Sequence, residues 1–77
     1  MKTEKDLVAL EILNVIKENP RITPQEVSEK TEISTQYVRN TLRVLTELKL
    51  VETPVRGVYL ITDLGKYVLA KVEQEER

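Results

Sequence analysis

The spacing of hydrophobic residues along this chain changes just after Lys49. Upstream of that point, apolar residues recur every three or four positions, which is the spacing of helices that bury one face. Downstream, residues 50–53 and 58–61 have the composition of short strands, and residues 54–57, with the sequence PVRG, have that of a turn. The pattern therefore predicts a mainly α fold that contains one small β-hairpin.

The first helix is predicted over residues 3–18, because Pro20 biases the residue before it away from helical angles. Its apolar residues form a broad face, but Leu7 and Leu10 fall outside that face, among polar side chains. Two alternatives are open for these leucines. Single exposed leucines are common on protein surfaces, and leucines without a core also serve as contacts between two copies of a chain.

The second helix has the clearest start signal in the chain, the sequence ITPQEV at residues 22–27. Thr23 can cap the free amides of the helix, and Glu26 can complete a capping box back to Thr23. Pro24 suits the first helical position, where its missing N–H costs nothing. A helix is therefore predicted to begin near residue 24 and, from the polar segment that follows, to end near Thr31.

The third helix is predicted over residues 35–48, with Ser34 or Thr35 as its cap, and it carries two distinct faces. The buried face consists of Val38, Leu42 and Leu45, flanked by Thr41 and Leu48. The opposite face, called the polar face below, consists of Gln36, Arg39, Asn40 and Arg43. Tyr37 lies at the border, where its ring can pack on the core while its hydroxyl reaches outward.

Thr62 is predicted to cap a last helix that extends into the charged C-terminal segment. Its apolar stripe is predicted to contain Leu64, Tyr67, Val68 and Val72. Leu69 lies off that stripe, as Leu7 and Leu10 lie off theirs. These three leucines are therefore the predicted contacts of a homodimer that is joined through the first and last helices.

Composition excludes most catalytic chemistry. The chain has 77 residues with no Cys and no His, so zinc sites built on these residues, thiol nucleophiles and imidazole bases are ruled out. We expect a single domain over residues 1–77, no metal, no cofactor and no enzymatic activity. Because the sequence holds no apolar run of the length that a signal peptide or membrane helix needs, we also expect no membrane association and a cytoplasmic location.

The order of three helices, a hairpin and a closing helix resembles a winged helix-turn-helix domain of the kind found in small MarR-, PadR- and ArsR-like regulators of bacteria and archaea. Two segments carry the resemblance, residues 22–52 for the helix-turn-helix and residues 57–69, GVYLITDLGKYVL, for the wing and last helix. In the second segment, YLITDLG is similar to the Tyr-x-Leu-Thr-x-x-Gly pattern of these regulators, with Ile61 at the Leu position. The chain departs from them at Glu32, where Gly is common, and in its short wing.

The resemblance implies that residues 35–48 form a recognition helix in the major groove of duplex DNA and that the wing, residues 50–61, lies on the flanking backbone or minor groove. The predicted DNA contacts are Ser34, Thr35, Gln36, Tyr37, Arg39, Asn40, Arg43 and Arg56. A dimer would place two recognition helices about one DNA turn apart. A small-molecule effector is not expected, since 77 residues leave no room for a separate effector domain.

Charge and fold leave one alternative open. The net charge is −1, although residues 33–66 carry five basic and three acidic side chains. Winged helices also serve as protein-interaction modules in transcription complexes and other assemblies, and the sign of that use would be an apolar patch on the hairpin or third helix. The sequence offers only Val55 and Tyr37 there, so DNA binding is the stronger interpretation.

Overall fold

The computed structural model describes residues 4–75 of the chain, with side chains from residue 7 onward. The elements in that range are α1 (Glu4–Glu18), α2 (Pro24–Thr31), α3 (Thr35–Glu47), β1 (Val51–Glu52), β2 (Leu60–Ile61) and α4 (Asp63–Glu75). This order confirms the predicted mainly α fold with a small hairpin and a closing helix. The predicted start of the first helix at residue 3 lies outside the described residues, whereas its predicted end at residue 18 is confirmed.

The buried side chains form one hydrophobic cluster, to which α1, α2, α3, β1 and α4 all contribute. Its members are Ile12, Leu13, Ile16, Ile22, Val27, Val38, Leu42, Leu45, Val51 and Leu69. The apolar spacings of the first and third helices predicted the buried faces of both, and each fully buried Leu, Ile or Val contributes about 1.5–3 kcal/mol. The cluster therefore fixes which face of α3 points away from the protein.

The ends of α2 agree with its sequence signals. Thr23 and Glu26 form the predicted capping box, in which the Thr23 amide donates to Glu26 Oε1 at 2.9 Å. At the other end, Glu32 adopts φ 62°, and its amide donates to the Ser28 carbonyl at 2.8 Å. The chain thus takes the left-handed turn that usually carries Gly, with Glu32 in the strained position. This turn connects α2 to α3.

α3 ends one residue before its predicted boundary, at Glu47 rather than Leu48. The Leu50 amide donates to the Leu45 carbonyl at 2.9 Å, and the Lys49 amide to the Thr46 carbonyl at 3.0 Å. Lys49 itself has a left-handed backbone, with φ 67°. These two bonds around a left-handed residue make a Schellman motif, which stops α3 and directs the chain into β1.

The hairpin is shorter than predicted, because each strand has two residues, paired as Val51 with Ile61 and Glu52 with Leu60. The Tyr59 amide donates instead to the carbonyl of Ile22 at 2.9 Å, so the start of the second strand pairs with the segment before α2. This pairing was not predicted, since a single bridge leaves no periodic signal in the sequence. It ties the base of the wing to the helix-turn-helix.

The rotation of α4 differs from the prediction. Leu64 and Tyr67 were placed on the buried stripe but are 48% and 60% exposed. The buried positions are Gly65 and Leu69. The cause is a close approach of α4 to the end of α3, because a Cβ on Gly65 would lie 2.2 Å from the Leu50 carbonyl oxygen.

Leu69 follows Gly65 by one helical turn and is therefore carried into the core, where it is 3% exposed. Its prediction as a surface contact of a dimer was wrong for this reason. The predicted cap at Thr62 is confirmed, since its hydroxyl oxygen accepts from the Gly65 amide at 3.0 Å and its hydroxyl donates to the Lys49 carbonyl at 2.6 Å.

Candidate nucleic-acid interface

The N-terminus of α3 is a capped and exposed helix start. Ser34 is the cap, because its hydroxyl oxygen accepts from the Tyr37 amide at 3.2 Å. Thr35 is the first helical residue and is half-buried. Amides of the first turn have no partner within a helix and carry partial positive charge, so a helix start of this kind can hold a phosphate oxygen.

The structure brings the four predicted side chains of the polar face together on the outer side of α3. Gln36, Arg39, Asn40 and Arg43 are all exposed, whereas Val38 and Leu42 on the other side are fully buried. Two of the four are joined, since Gln36 Nε2 donates to Asn40 Oδ1 at 3.2 Å. Glu47 is also exposed and ends this side of the helix. The face offers two guanidinium groups and two amides to a ligand.

Tyr37 stands at the border of the polar face, as predicted, and is 38% exposed. Beside it, two apolar side chains are exposed: Val44 at 49%, which the sequence interpretation did not place, and Leu48 at 57%, which it had wrongly placed beside the buried face. Tyr37, Thr41, Val44 and Leu48 follow one another at spacings of four, three and four, so they form a second line along the helix, called the apolar stripe below. That spacing was the signal that could have revealed them.

Two apolar grooves adjoin the apolar stripe. Ala9 of α1 lies across from Tyr37 and Val44 in one groove. Leu48 borders the other, which has a volume of about 330 Å³ and is lined only by apolar residue types from α1, α4 and the segment 45–50. The stripe therefore belongs to a larger apolar surface that runs from α3 onto α1 and α4.

Arg56 occupies the tip of the wing, where it is exposed. The turn is closed by the Val58 amide, which donates to the Val55 carbonyl at 3.1 Å, and Gly57 supplies a φ of 88°. A positive φ at the third position of a four-residue turn is the geometry of a type II turn, which favours Gly there. The predicted tip residue is thus presented to solvent on an element separate from α3.

The three leucines predicted as dimer contacts line one groove of about 250 Å³ between α1 and α4. Leu7 is 52% exposed, Leu10 is half-buried against the core, and Leu69 is buried beneath them. Glu11 and Glu73 also line this groove. The groove is therefore lined by apolar side chains together with two carboxylates.

Outside the polar face, the described residues include one carboxyl group with a shifted pKa, but no metal-binding cluster and no membrane-spanning helix. Hydrogen bonds from the Thr23 amide and hydroxyl lower the pKa of the Glu26 carboxyl, so this side chain is a fixed negative charge at the start of α2. Among residues 4–75, no cluster of His, Cys, Asp and Glu side chains is arranged to hold a metal ion. Nor does any helix in that range have the length and apolar character needed to cross a membrane.

Comparison with known proteins gives a family match. The winged helix-turn-helix DNA-binding family model matches residues 5–52, which span α1, α2, α3 and β1. No curated protein sequence matches the chain. Among solved structures, the activation domain of the phage T4 transcription factor MotA is similar, with 25% identity and a TM-score of 0.72 over 99% of this chain and 80% of that one.

Two further solved structures are longer than this chain. IdeR of T. acidophilum is 26% identical, with a TM-score of 0.70 over 84% of this chain and 30% of IdeR. A protein of unknown function from Listeria innocua Clip11262 is 22% identical, with a TM-score of 0.78 over 86% of this chain and 49% of that one. At 22% identity the likeness shows the fold alone, and the chain spans half or less of the length of both proteins.

Proposed function

The chain belongs to the winged helix-turn-helix DNA-binding family, and on that basis we propose that it regulates transcription by recognising a specific duplex DNA sequence through α3. Membership of the family supports DNA as the partner and a non-enzymatic role of the regulator kind. The observation that supports recognition by α3 is its polar face, where four long hydrogen-bonding side chains are exposed together without an acid among them. Solvated helix faces more often alternate Glu with Lys.

Each side chain of the polar face has a chemical role in this proposal. Arg39 and Arg43 can each donate two hydrogen bonds to a guanine edge or to phosphate oxygens. The amides of Gln36 and Asn40 match the donor and acceptor pattern of adenine in the major groove. These side chains would read the sequence, while contacts to the DNA backbone position the helix.

The backbone contacts are assigned to the edges of the interface. Ser34 and Thr35, at the start of α3, would hold a phosphate with the free amides of the first turn. The hydroxyl of Tyr37 would reach a neighbouring phosphate, since its ring lies at the border of the polar face. Arg56 at the wing tip would contact the flanking backbone or the minor groove.

We also propose a homodimer, in which Leu7 and Leu10 contact a second copy over the floor formed by Leu69. Two recognition helices about one turn apart would then bind a pseudo-palindromic site and block or recruit the transcription machinery. Sedimentation at micromolar concentration tests this proposal. Wild type should sediment as a dimer, Leu7→Glu as a monomer, and Leu64→Glu, an equally exposed control on α4, as a dimer. A monomeric wild type would refute it.

The DNA-binding experiment is fluorescence anisotropy of mixed-sequence duplexes at low and near-physiological salt. Replacing Arg39 and Arg43 by Ala should weaken binding and reduce the salt slope by about 0.9 for each phosphate contact that is lost. The matched control replaces Lys66 and Lys71, which removes the same charge from the exposed side of α4. Equal losses in the two double variants would mean that net charge, and not the polar face, determines binding.

A second candidate function is favoured by the apolar stripe. Exposed Val44 and Leu48 supply, on the third helix, the apolar patch that a protein-interaction module would need. The same fold also occurs in the MotA activation domain. Replacing Val44 and Leu48 by Ser should then leave DNA affinity unchanged but abolish regulation of a reporter gene that carries a selected binding sequence. Unchanged regulation would eliminate this candidate.

A further inference from the structure

The hydrogen bond inside the polar face gives the two amides different roles. Gln36 Nε2 donates to Asn40 Oδ1 at 3.2 Å across one helical turn. Both side chains are exposed, so their remaining donors and acceptors are free to meet a ligand. We infer that Asn40 reads an adenine in the major groove and that Gln36 is a positioning residue that makes this reading selective against guanine. This inference rests on the proposed binding of duplex DNA by α3.

An unsupported Asn side chain is ambiguous, because its amide can rotate and exchange the positions of oxygen and nitrogen. Adenine presents the N7 acceptor and the N6 donor in the major groove, and guanine presents two acceptors, N7 and O6. An amide held in one orientation matches adenine with both of its polar atoms. Against guanine, the same orientation places its oxygen opposite another acceptor.

The bond from Gln36 holds that orientation. Asn40 Oδ1 has two acceptor positions, of which one receives Gln36 and the other remains for the adenine N6 donor. Asn40 Nδ2 keeps its hydrogens for N7. Rotation of the Asn40 amide alone toward guanine would break the bond and bring two NH₂ groups face to face, so reading guanine in this way requires the Gln36 amide to rotate as well.

The first test is selection of bound duplexes from a pool with a randomised segment, followed by anisotropy on the selected sequence. One position should prefer adenine over guanine by roughly 5- to 150-fold in wild type, which is the range for a bidentate base contact. Asn40→Ala should remove this preference at that position. Replacing that adenine by 7-deazaadenine, which lacks the N7 acceptor, should weaken wild type but not Asn40→Ala.

Two variants isolate the positioning role of Gln36. Gln36→Met keeps the length of the side chain and removes its donor, so the ratio of adenine to guanine affinity should fall at the position read by Asn40. Gln36→Glu presents only acceptors, so Asn40 should turn its NH₂ toward position 36 and lose the adenine preference entirely. Both results are ratios of affinities for two bases, and the added negative charge of Gln36→Glu therefore cancels.

Three outcomes would overturn the inference. If the ratio of adenine to guanine affinity is unchanged in Gln36→Met, Asn40 reads the base without help from Gln36. If the selected base is guanine and Asn40→Ala removes that preference, the amide pair has the reverse orientation. Selected sequences insensitive to Asn40→Ala would remove its reading role. In each of these outcomes wild type still binds duplex DNA, which distinguishes them from failure of the proposed function, where wild type binds no duplex at low salt.

Discussion

α3 and α4 have the same length, 13 residues each, but are attached to the core in different ways. α3 buries three large side chains at helical spacing, Val38, Leu42 and Leu45. α4 buries Gly65 and Leu69 and leaves its larger side chains at 64 and 67 exposed. A helix can therefore be attached by side-chain volume or by close backbone approach, and the two modes differ in which substitutions they tolerate.

The largest expected effect concerns side-chain volume in α3. Leu42→Ala removes a fully buried side chain and should lower the free energy of unfolding by about 3–4 kcal/mol through lost burial and the cavity left behind. The matched change in α4, Leu64→Ala, affects a side chain that is 48% exposed and should cost less than about 1 kcal/mol. Urea unfolding followed by circular dichroism measures both, and similar losses would contradict the comparison.

The second prediction tests the close approach of α4. Gly65→Ala places a methyl group 2.2 Å from the Leu50 carbonyl oxygen and 2.7 Å from Ile61 Cγ1, so α4 must shift, at a cost of about 2–3 kcal/mol. Gly57→Ala is the control, because its Cβ meets nothing within 4 Å and only the positive φ opposes it, by about 1 kcal/mol. If Gly65→Ala were the milder change in urea unfolding, α4 would not be held by backbone contact.

The helix caps extend the comparison. The Thr62 hydroxyl joins α4 to the end of α3, since it accepts from Gly65 and donates to the Lys49 carbonyl. Ser34 makes only the local cap bond of α3 to the Tyr37 amide. Thr62→Ala should therefore cost about 2 kcal/mol and Ser34→Ala about 1 kcal/mol in thermal or urea unfolding. The reverse order would mean that the bond to Lys49 contributes nothing.

The same contrast explains what could be predicted from the sequence. The faces of α3 followed from the spacing of large apolar residues, and the start of α2 followed from its capping box. The rotation of α4 could not be predicted in this way, because Gly65 determines it and a glycine adds nothing to a hydrophobic pattern. Once Gly65 faces the core, Leu69 must follow.

The candidate site was likewise only partly predictable from the sequence. The positions of Gln36, Arg39, Asn40 and Arg43 on one exposed face followed from helical spacing, and their contacts with DNA remain predictions. The apolar stripe was missed, since hydrophobicity at positions 44 and 48 indicates burial unless the neighbouring elements are known. The bond between Gln36 and Asn40 depends on rotamers, which spacing alone does not determine.

The smallest effect concerns α2, whose exposed cap makes its contribution depend on pH. The pKa of the Glu26 carboxyl lies below its ordinary value of 4.5, mainly because the Thr23 amide donates to the ionised form. A lowered pKa in the folded state means that this stabilisation is complete above the unfolded pKa and is lost as the pH falls through the folded pKa.

Glu26→Gln keeps an acceptor for the Thr23 amide but cannot titrate, so its free energy of unfolding should decrease less than that of wild type below pH 4.5. Urea unfolding at pH 7, 4.5 and 3 measures this difference. Glu29→Gln, which removes an exposed carboxylate from the same helix outside the capping box, is the control. If both variants reduced the loss of unfolding free energy at acid pH by the same amount, overall charge rather than the capping box would be responsible.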